Sequence, residues 1–283
     1  MDCRTMCMLI ETAAELHDAN MELLQKFDRF CNDNGIRYFI TFGTLLGAVR
    51  HGDMIPWDDD IDVTMLRSEY YKLIKISKQK YPEGCELVTP GDEETFCGFT
   101  PMFKDNTKVG RMLKGSDMDD GSGTGRLGID IFVLDPSYTG PRHVYLTYRQ
   151  YMLYAEARAH RALPKPLDTS RPRIFAVPIV GFFQFIGRRR RLYRIVEDYW
   201  KLSLDLKSKG KVLYSPCNIP DELKQEYDAE WFKDTVYLKL DGVEYPAPAG
   251  YKALLKRFYG DYMQLPPESK RKPDHFLLKE FQD

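Results

Sequence analysis

The chain has 283 residues, with 41 Lys plus Arg against 42 Asp plus Glu, a formal net charge of −1 and 43% hydrophobic residues. This is the composition of a globular protein with a sizeable core rather than a disordered one, and its near-neutral charge removes any general attraction for nucleic acid. The six cysteines (Cys3, Cys7, Cys31, Cys85, Cys97, Cys217) form no Cys-x-x-Cys or Cys/His cluster, the first residues meet acids too soon for a signal peptide, and no apolar run reaches the ~18 residues of a membrane span, so reduced thiols in the cytoplasm are expected.

From about Leu9 to Cys31 apolar residues recur at helical spacing (Leu16, Leu23, Leu24, Phe27, Phe30), with Asn34-Gly35 as the C-terminal cap. Ile36 to Phe42 reads as the first core strand. It leads into Gly43-Thr44 and a short helical pattern, Leu45, Leu46, Ala48 and Val49, where a glycine lets backbone approach a ligand and helix-start N–H groups favour anions. Arg50 and His51 end that helix. A guanidinium there suits a forked contact with phosphate oxygens, or an ion pair with Asp58 or Asp59 that braces the turn.

Behind Pro56-Trp57 come Asp58, Asp59, Asp60 and Asp62. On a strand, Asp58, Asp60 and Asp62 would share one face while Ile61 and Val63 point to the core. Carboxylates crowded on one face repel, and a hard divalent cation removes the conflict; Mg²⁺, with Mn²⁺ as a substitute, takes oxygen ligands together with substrate phosphates. Taken alone, such an acidic run is usually a solvated turn. The combination of apolar strand, Gly-Thr, helix and alternating acids points instead to phosphoryl chemistry. Trp57 is read as a packing aromatic or as a platform for a base.

Ser68 to Lys80 reads as an amphipathic helix capped by Ser68, and Cys85 to Thr89 and Phe96 to Lys104 read as strands around Pro90-Gly91. Residues 114–126, KGSDMDDGSGTGR, are too polar to pack a core and read as a mobile loop placed to close over a ligand. Leu127 to Leu134 is apolar except for Asp130. A buried carboxylate without a partner is costly, so Asp130 is expected at the strand's polar end beside a cation, as a third acid. Asp135-Pro136 is expected to turn the chain out of the sheet. Arg142 to His160 reads as a long helix. Fourteen uncharged residues, 174–187, precede Arg188 to Arg191; this segment is too short to span a bilayer but suits interfacial contact with anionic lipid, against the plainer alternative of a buried helix. Val236 to Tyr245 reads as a hairpin turning at Asp241-Gly242, and Tyr251 to Tyr259 as a helix.

The stretch Gly43 to Val63 resembles the signature of the LicD family, the phosphorylcholine and alditol-phosphate transferases that include the fukutin-related ribitol-phosphate transferases. Gly43-Thr44 followed by Asp60-Ile61-Asp62 matches the pattern of the nucleotidyltransferase-fold superfamily to which they belong. Ile129-Asp130-Ile131-Phe132 resembles the family's later acidic strand, and Tyr259-Gly260-Asp261-Tyr262 with Pro266-Pro267 resembles its C-terminal block. The chain departs at Asp53-Met54, where most members carry Gly-Phe, and at Val133, where proline is usual.

The resemblance implies an α/β (α+β) nucleotidyltransferase-type mixed sheet: a core over 1–140, a mainly helical region over 141–230, and a C-terminal hairpin and helix over 231–283 that pack back on it. It implies Mg²⁺-dependent transfer of phosphocholine, or a related alditol phosphate, from a CDP-activated donor to a hydroxyl of a glycan or lipid-linked glycan, with release of CMP. Asp60, Asp62 and Asp130 would hold the metal and act in catalysis. Gly43, Thr44, Arg50, Trp57, Asp58 and Lys104 would bind substrate. The expected location is cytoplasmic or peripheral at the inner face of a membrane through 174–191, with no nucleic-acid partner. Transfer of a nucleoside monophosphate from a triphosphate, and a non-catalytic glycan- or lipid-binding module, are the alternatives.

Overall fold

The structure, a computed structural model, describes residues 7–89, 100–114, 123–137, 210–214 and 225–281. These fall into two compact units: one of 1–88, 102–132 and 230–283, the other of 89–101 and 133–229.

The first unit is built on a mixed sheet. Its strands are β1 (Met8–Ile10), β2 (Phe39–Ile40), β3 (Ile61–Leu66), β4 (Cys85–Val88), β5 (Met102–Arg111) and β6 (Thr124–Pro136). They lie in the order β1-β5-β6-β3-β2, with β4 also on β5. The β1–β5 pair is parallel, and the β2–β3, β4–β5 and β5–β6 ladders are antiparallel. This mixed α/β architecture is the fold class expected from the sequence.

One face of the sheet is covered by α1 (Ala13–Asp33), whose buried stripe includes Leu16, Leu23, Leu24, Phe27 and Phe30. Phe103 on β5 meets Phe27 edge-on at 5.2 Å and stacks with Phe30 at 6.3 Å, and pairs in register with Ile129. The helix starts later than its apolar periodicity suggests. Thr12 and Glu15 form a capping box that fixes its first turn, and Met8–Ile10 is thereby released to extend along β5. The first core strand is likewise shorter than expected. Thr41 already caps α2 (Phe42–Arg50), so only Phe39 and Ile40 remain in the ladder.

The opposite face carries α2 and α4 (Tyr251–Tyr259), joined through Phe42, whose ring meets Phe132 of β6 and Phe258 of α4, each at 4.7 Å. The helix α3 (Arg67–Ser77) follows β3 directly, with Leu66 rather than Ser68 at its N-cap position. The hairpin of β9 (Thr235–Leu240) and β10 (Val243–Pro248) turns at Asp241 and Gly242, both at positive φ (49° and 75°), as a two-residue turn with matching twist requires.

In the second unit, the last residues of β6 pair with β7 (Lys211–Tyr214), and β7 pairs with β8 (Tyr227–Asp228). Asp135 and Pro136 therefore do not turn the chain out of the sheet: they continue β6 opposite Leu213 and Val212, with proline at the strand's last position, where a missing donor is tolerated. The expected helix at 142–160, the segment 174–191 and most of the polar stretch 114–126 lie outside the described residues. Among the described residues, no helix is long and apolar enough to cross a membrane, and Cys7, Cys31 and Cys85 are free thiols.

Candidate active site

Two short hydroxyl contacts set the geometry. Thr44, buried on α2, accepts the backbone N–H of Asp62 on its Oγ1 at 2.8 Å, while Thr41 N–H donates to the Asp62 carbonyl at 3.1 Å. The start of α2 thus clamps the start of β3. Further along, Thr64 donates to the Phe132 carbonyl at 2.7 Å and ties β3 to β6. With the two strands fixed side by side, Asp60, Asp62 and Asp130 bring carboxylate oxygens within 4.8 Å of one another.

Asp130 does not sit at the polar end of its strand. It lies in the middle of β6, opposite Met102, and avoids the core because Ile129 and Ile131 take the α1 face while Asp130 takes the other. Asp58 and Asp60 are not on a strand at all, since β3 begins at Ile61. Asp60 nevertheless reaches the cluster from the turn. Asp58 packs against Gly43 so closely that any Cβ there would run into its carboxylate. The anion seated beside Gly43 in this structure is therefore a side chain of the protein itself, and glycine is required there for close approach.

Burial pushes the Asp62 carboxyl well above the ordinary carboxylate range, and the charges of Asp60, Asp130 and Asp58 push it further. Asp58 moves the same way, by burial first and then through Asp60. Three hard oxygen donors crowded together suit a hard divalent cation, whose attraction for each carboxylate offsets their mutual repulsion. The donor set fits Mg²⁺ or Mn²⁺ and contains none of the soft ligands that zinc or copper prefer.

Several residues that the sequence did not assign to the site complete the surroundings. Asp59, only 2% exposed, accepts the backbone N–H groups of His275 and Phe276 on one oxygen, at 2.8 and 2.7 Å. It clasps the C-terminal segment, which also pairs with the end of β5 through Leu113 N–H to the His275 carbonyl and Leu277 N–H to the Arg111 carbonyl. This places His275 Nε2 3.3 Å from Asp60. Tyr259 lies in the field of Asp62, Asp58 and Asp60; burial and those charges raise its phenol far above the ordinary value. A lone histidine and a C-terminal tyrosine carry no spacing signal that ties them to acids 200 residues earlier. The only hint was the returning C-terminal block.

Of the expected substrate contacts, Lys104 lies opposite Gly128 in the β5–β6 ladder, on the same face as Asp130 and two residues along. Arg50 forks onto neither Asp58 nor Asp59. Its Nη1 donates to the carbonyls of Tyr262 and Gln264 at 3.2 and 3.4 Å. Trp57 is half-buried between His51, edge-on at 6.1 Å, and the Arg271 guanidinium, 5.5 Å from its ring centre. Asp105, beside Lys104 on β5, is fully buried and accepts the N–H and hydroxyl of Thr107 at 2.7 and 2.6 Å.

A mixed sheet that gathers three aspartates beside a Gly-Thr helix start defines a nucleotidyltransferase-type domain. The family model described as the LicD/FKTN/FKRP nucleotidyltransferase domain matches residues 35–157. The chain is 29% identical to the lipopolysaccharide cholinephosphotransferase LicD of Haemophilus influenzae over 90% of this chain and 92% of that protein. A shorter match, 40% identical over 20% of this chain, joins it to an uncharacterized protein of Rickettsia prowazekii, covering 22% of that protein. Twenty-nine residues are 62% identical to the ribitol 5-phosphate transferase FKRP of Homo sapiens, 10% of this chain and 6% of that protein.

Proposed function

We propose that the chain transfers phosphocholine, or a related alditol phosphate, from a CDP-activated donor to a hydroxyl of a cell-surface glycan, and releases CMP. The convergence of Asp60, Asp62 and Asp130 carries this reading. The similarity to LicD along nearly the whole chain favours phosphocholine over transfer of a nucleotide.

Asp60, Asp62 and Asp130 would hold a divalent cation, Mg²⁺ or Mn²⁺, which when bound supplies charge neutralisation to the donor's phosphates. Thr44 and Thr41 hold the Asp62 backbone at its place, and Thr64 fixes β6 relative to β3, so two of the acids are preorganised. Asp130 orients the acceptor hydroxyl and takes its proton as the new bond to phosphorus forms. The attacked phosphorus is the one bearing the alcohol; its bond to the bridging oxygen breaks, and CMP leaves with that oxygen. Lys104 and Arg50 offer cationic donors to the phosphates from two sides, while Gly43 and Trp57 shape the floor and wall. The reaction places the protein at the cytoplasmic side of a membrane, where a lipid-linked glycan would present its hydroxyl; 174–191 is the candidate contact.

The test is release of CMP from CDP-choline, CDP-ribitol and CDP-glycerol with Mg²⁺, in the wild type and in Asp60→Ala and Asp62→Ala. Release from one donor, lost in both variants, is the expected result. Pyrophosphate from a nucleoside triphosphate, with no CMP from any donor, would replace this reading by nucleotidyl transfer.

A further inference from the structure

Beyond the acids, the site holds two guanidinium groups drawn from opposite ends of the chain. Arg50 ends α2, and Arg271 lies in the returning C-terminal segment, outside the stretch that matches the family model. Both are half-buried. Their hydrogen bonds go to neutral acceptors only: Arg50 to the carbonyls of Tyr262 and Gln264 and, at 3.5 Å, to the His51 ring, and Arg271 through Nε to the Pro266 carbonyl at 2.9 Å. Among the described residues neither forms an ion pair with a carboxylate. Trp57 meets the Arg271 guanidinium, 5.5 Å from its ring centre, and His51, the neighbour of Arg50, edge-on at 6.1 Å.

The two cations lie in each other's field. Burial first, and then the Arg271 charge, make charging Arg50 harder, while Tyr259 and Asp58 ease it. Two like charges held near each other, with no carboxylate in ion-pair contact, favour the arrival of an anion. The carbonyls of 262–266 take one edge of each fork and a tryptophan face takes one plane. What remains are charged N–H donors beside the acid cluster, the arrangement that recognises a phosphate by paired, charge-assisted hydrogen bonds.

We propose that Arg271, seated on Trp57, and Arg50 form a clamp for the diphosphate group of the donor, so that the C-terminal segment completes the substrate site. That the diphosphate belongs to a CDP-alcohol rests on the transfer reading; the clamp itself rests on the geometry. Asp59 is the positioning residue, because it fastens the His275–Phe276 backbone that follows Arg271.

The clamp reads the second phosphate, so it separates CDP from CMP. Calorimetric titration of the full chain with each nucleotide in Mg²⁺ gives the ratio of their affinities. Arg271→Gln keeps a donor for the Pro266 carbonyl and a planar group on Trp57 but removes the charge. It should lower the CDP-over-CMP preference roughly 10- to 100-fold, with CMP binding little changed. Arg271→Lys should restore part of the preference. If Arg271→Gln is recovered unfolded, Arg50→Gln is read in the same way. An unchanged ratio in the folded variant overturns the clamp. Should cytidine nucleotides not bind, inorganic pyrophosphate with Mg²⁺ is the probe, and absent binding or indifference to Arg271→Gln is equally fatal. Turnover distinguishes the two proposals. A protein that discriminates through Arg271 yet releases no CMP from any CDP-alcohol keeps the clamp and loses the transfer reading. One that turns over CDP-choline with an unchanged KM in Arg271→Gln does the reverse.

Discussion

Asp105 and Asp62 are buried carboxylates on opposite faces of one sheet, and they are treated in opposite ways. Asp105 faces α1. Thr107 donates to it twice, and the ammonium groups of Lys108 and Lys26 stand 3.6 and 3.9 Å away. Its charge is answered from within the protein, by residues two and three positions along and by a helix that would pack there anyway. Asp62 faces α2, and the charges around it are chiefly those of Asp60, Asp130 and Asp58. Burial of an acid therefore does not by itself mark a site in this molecule. What marks it is a neighbourhood of further carboxylates instead of hydroxyl and ammonium groups, which calls for a cation from solution.

The sharpest way to break the comparison is to neutralise each acid in turn. Asp62→Asn or Asp60→Asn should lower CMP release on the order of 10³-fold, several kcal/mol of lost charge stabilisation, while thermal stability without metal stays the same or rises because like charges are gone. Asp105→Asn should do the converse, losing about 2–3 kcal/mol of stability in urea unfolding with kcat/KM per folded molecule intact. If both substitutions acted on stability alone, the three-acid cluster would be structural. Mg²⁺ adds a second contrast. At about 100 times its Kd it should stabilise the wild type and Asp105→Asn by ~2.7 kcal/mol in a thermal melt, and Asp62→Asn hardly at all.

Asp59 lies between the two cases: it belongs to the acidic run yet serves packing, as Asp105 does. Asp59→Asn weakens the clasp on His275 and Phe276 and should cost roughly 2 kcal/mol in stability. A purely structural loss would stop there. Because the clasp fixes the segment carrying Arg271, KM for the donor should rise more than kcat falls, and unchanged kinetics in the folded variant would separate the segment from the site.

The sheet class, the Gly-Thr helix and the hairpin turn were legible because each is a local signal: apolar runs, a glycine before a helix, Asp-Gly between two strands. Asp60, Asp62 and Asp130 stood out for a related reason, as acids beside apolar residues that needed a partner. The errors have a common origin. Placing Asp58 and Asp60 on a strand assumed that alternation began before Ile61, and placing Asp130 at a strand end assumed that a mid-strand acid must face the core. Asp135-Pro136 read as a turn because β7 lies some 75 residues further on and no local pattern announces the pairing. The roles of Asp59, Arg271 and His275 were illegible because they depend on a contact more than 200 residues apart.

The smallest expected effect lies at the second histidine–aspartate pair, away from the acid cluster. His17 Nε2 is 2.8 Å from Asp53, with Asp18 at 3.4 Å from its other nitrogen and Asp241 close by. The pair joins α1 to the turn after α2. Burial pulls the imidazole down, but its hydrogen bonds to the Asp53 and Asp18 carboxylates outweigh it, and the net shift is upward from 6.5. Asp53 is lowered from 3.8, with the His17 hydrogen bond overcoming its burial. A raised histidine stabilises the fold fully below pH 6.5, and that contribution fades as pH rises through the folded value. A lowered aspartate contributes above 3.8, and its share is lost as pH falls through its own folded value. The pair should therefore act between these limits. The stability difference between wild type and His17→Asn, read from urea unfolding, should be greatest near pH 5, about 0.5–1 kcal/mol for a pair this exposed, and smaller at pH 8. The contrast with His275 is the useful one: His17 answers a carboxylate at a distance from the catalytic acids, so its replacement should leave CMP release at pH 8 within about twofold of wild type. A difference that stays flat across the range would mean that His17 contributes packing and no charge.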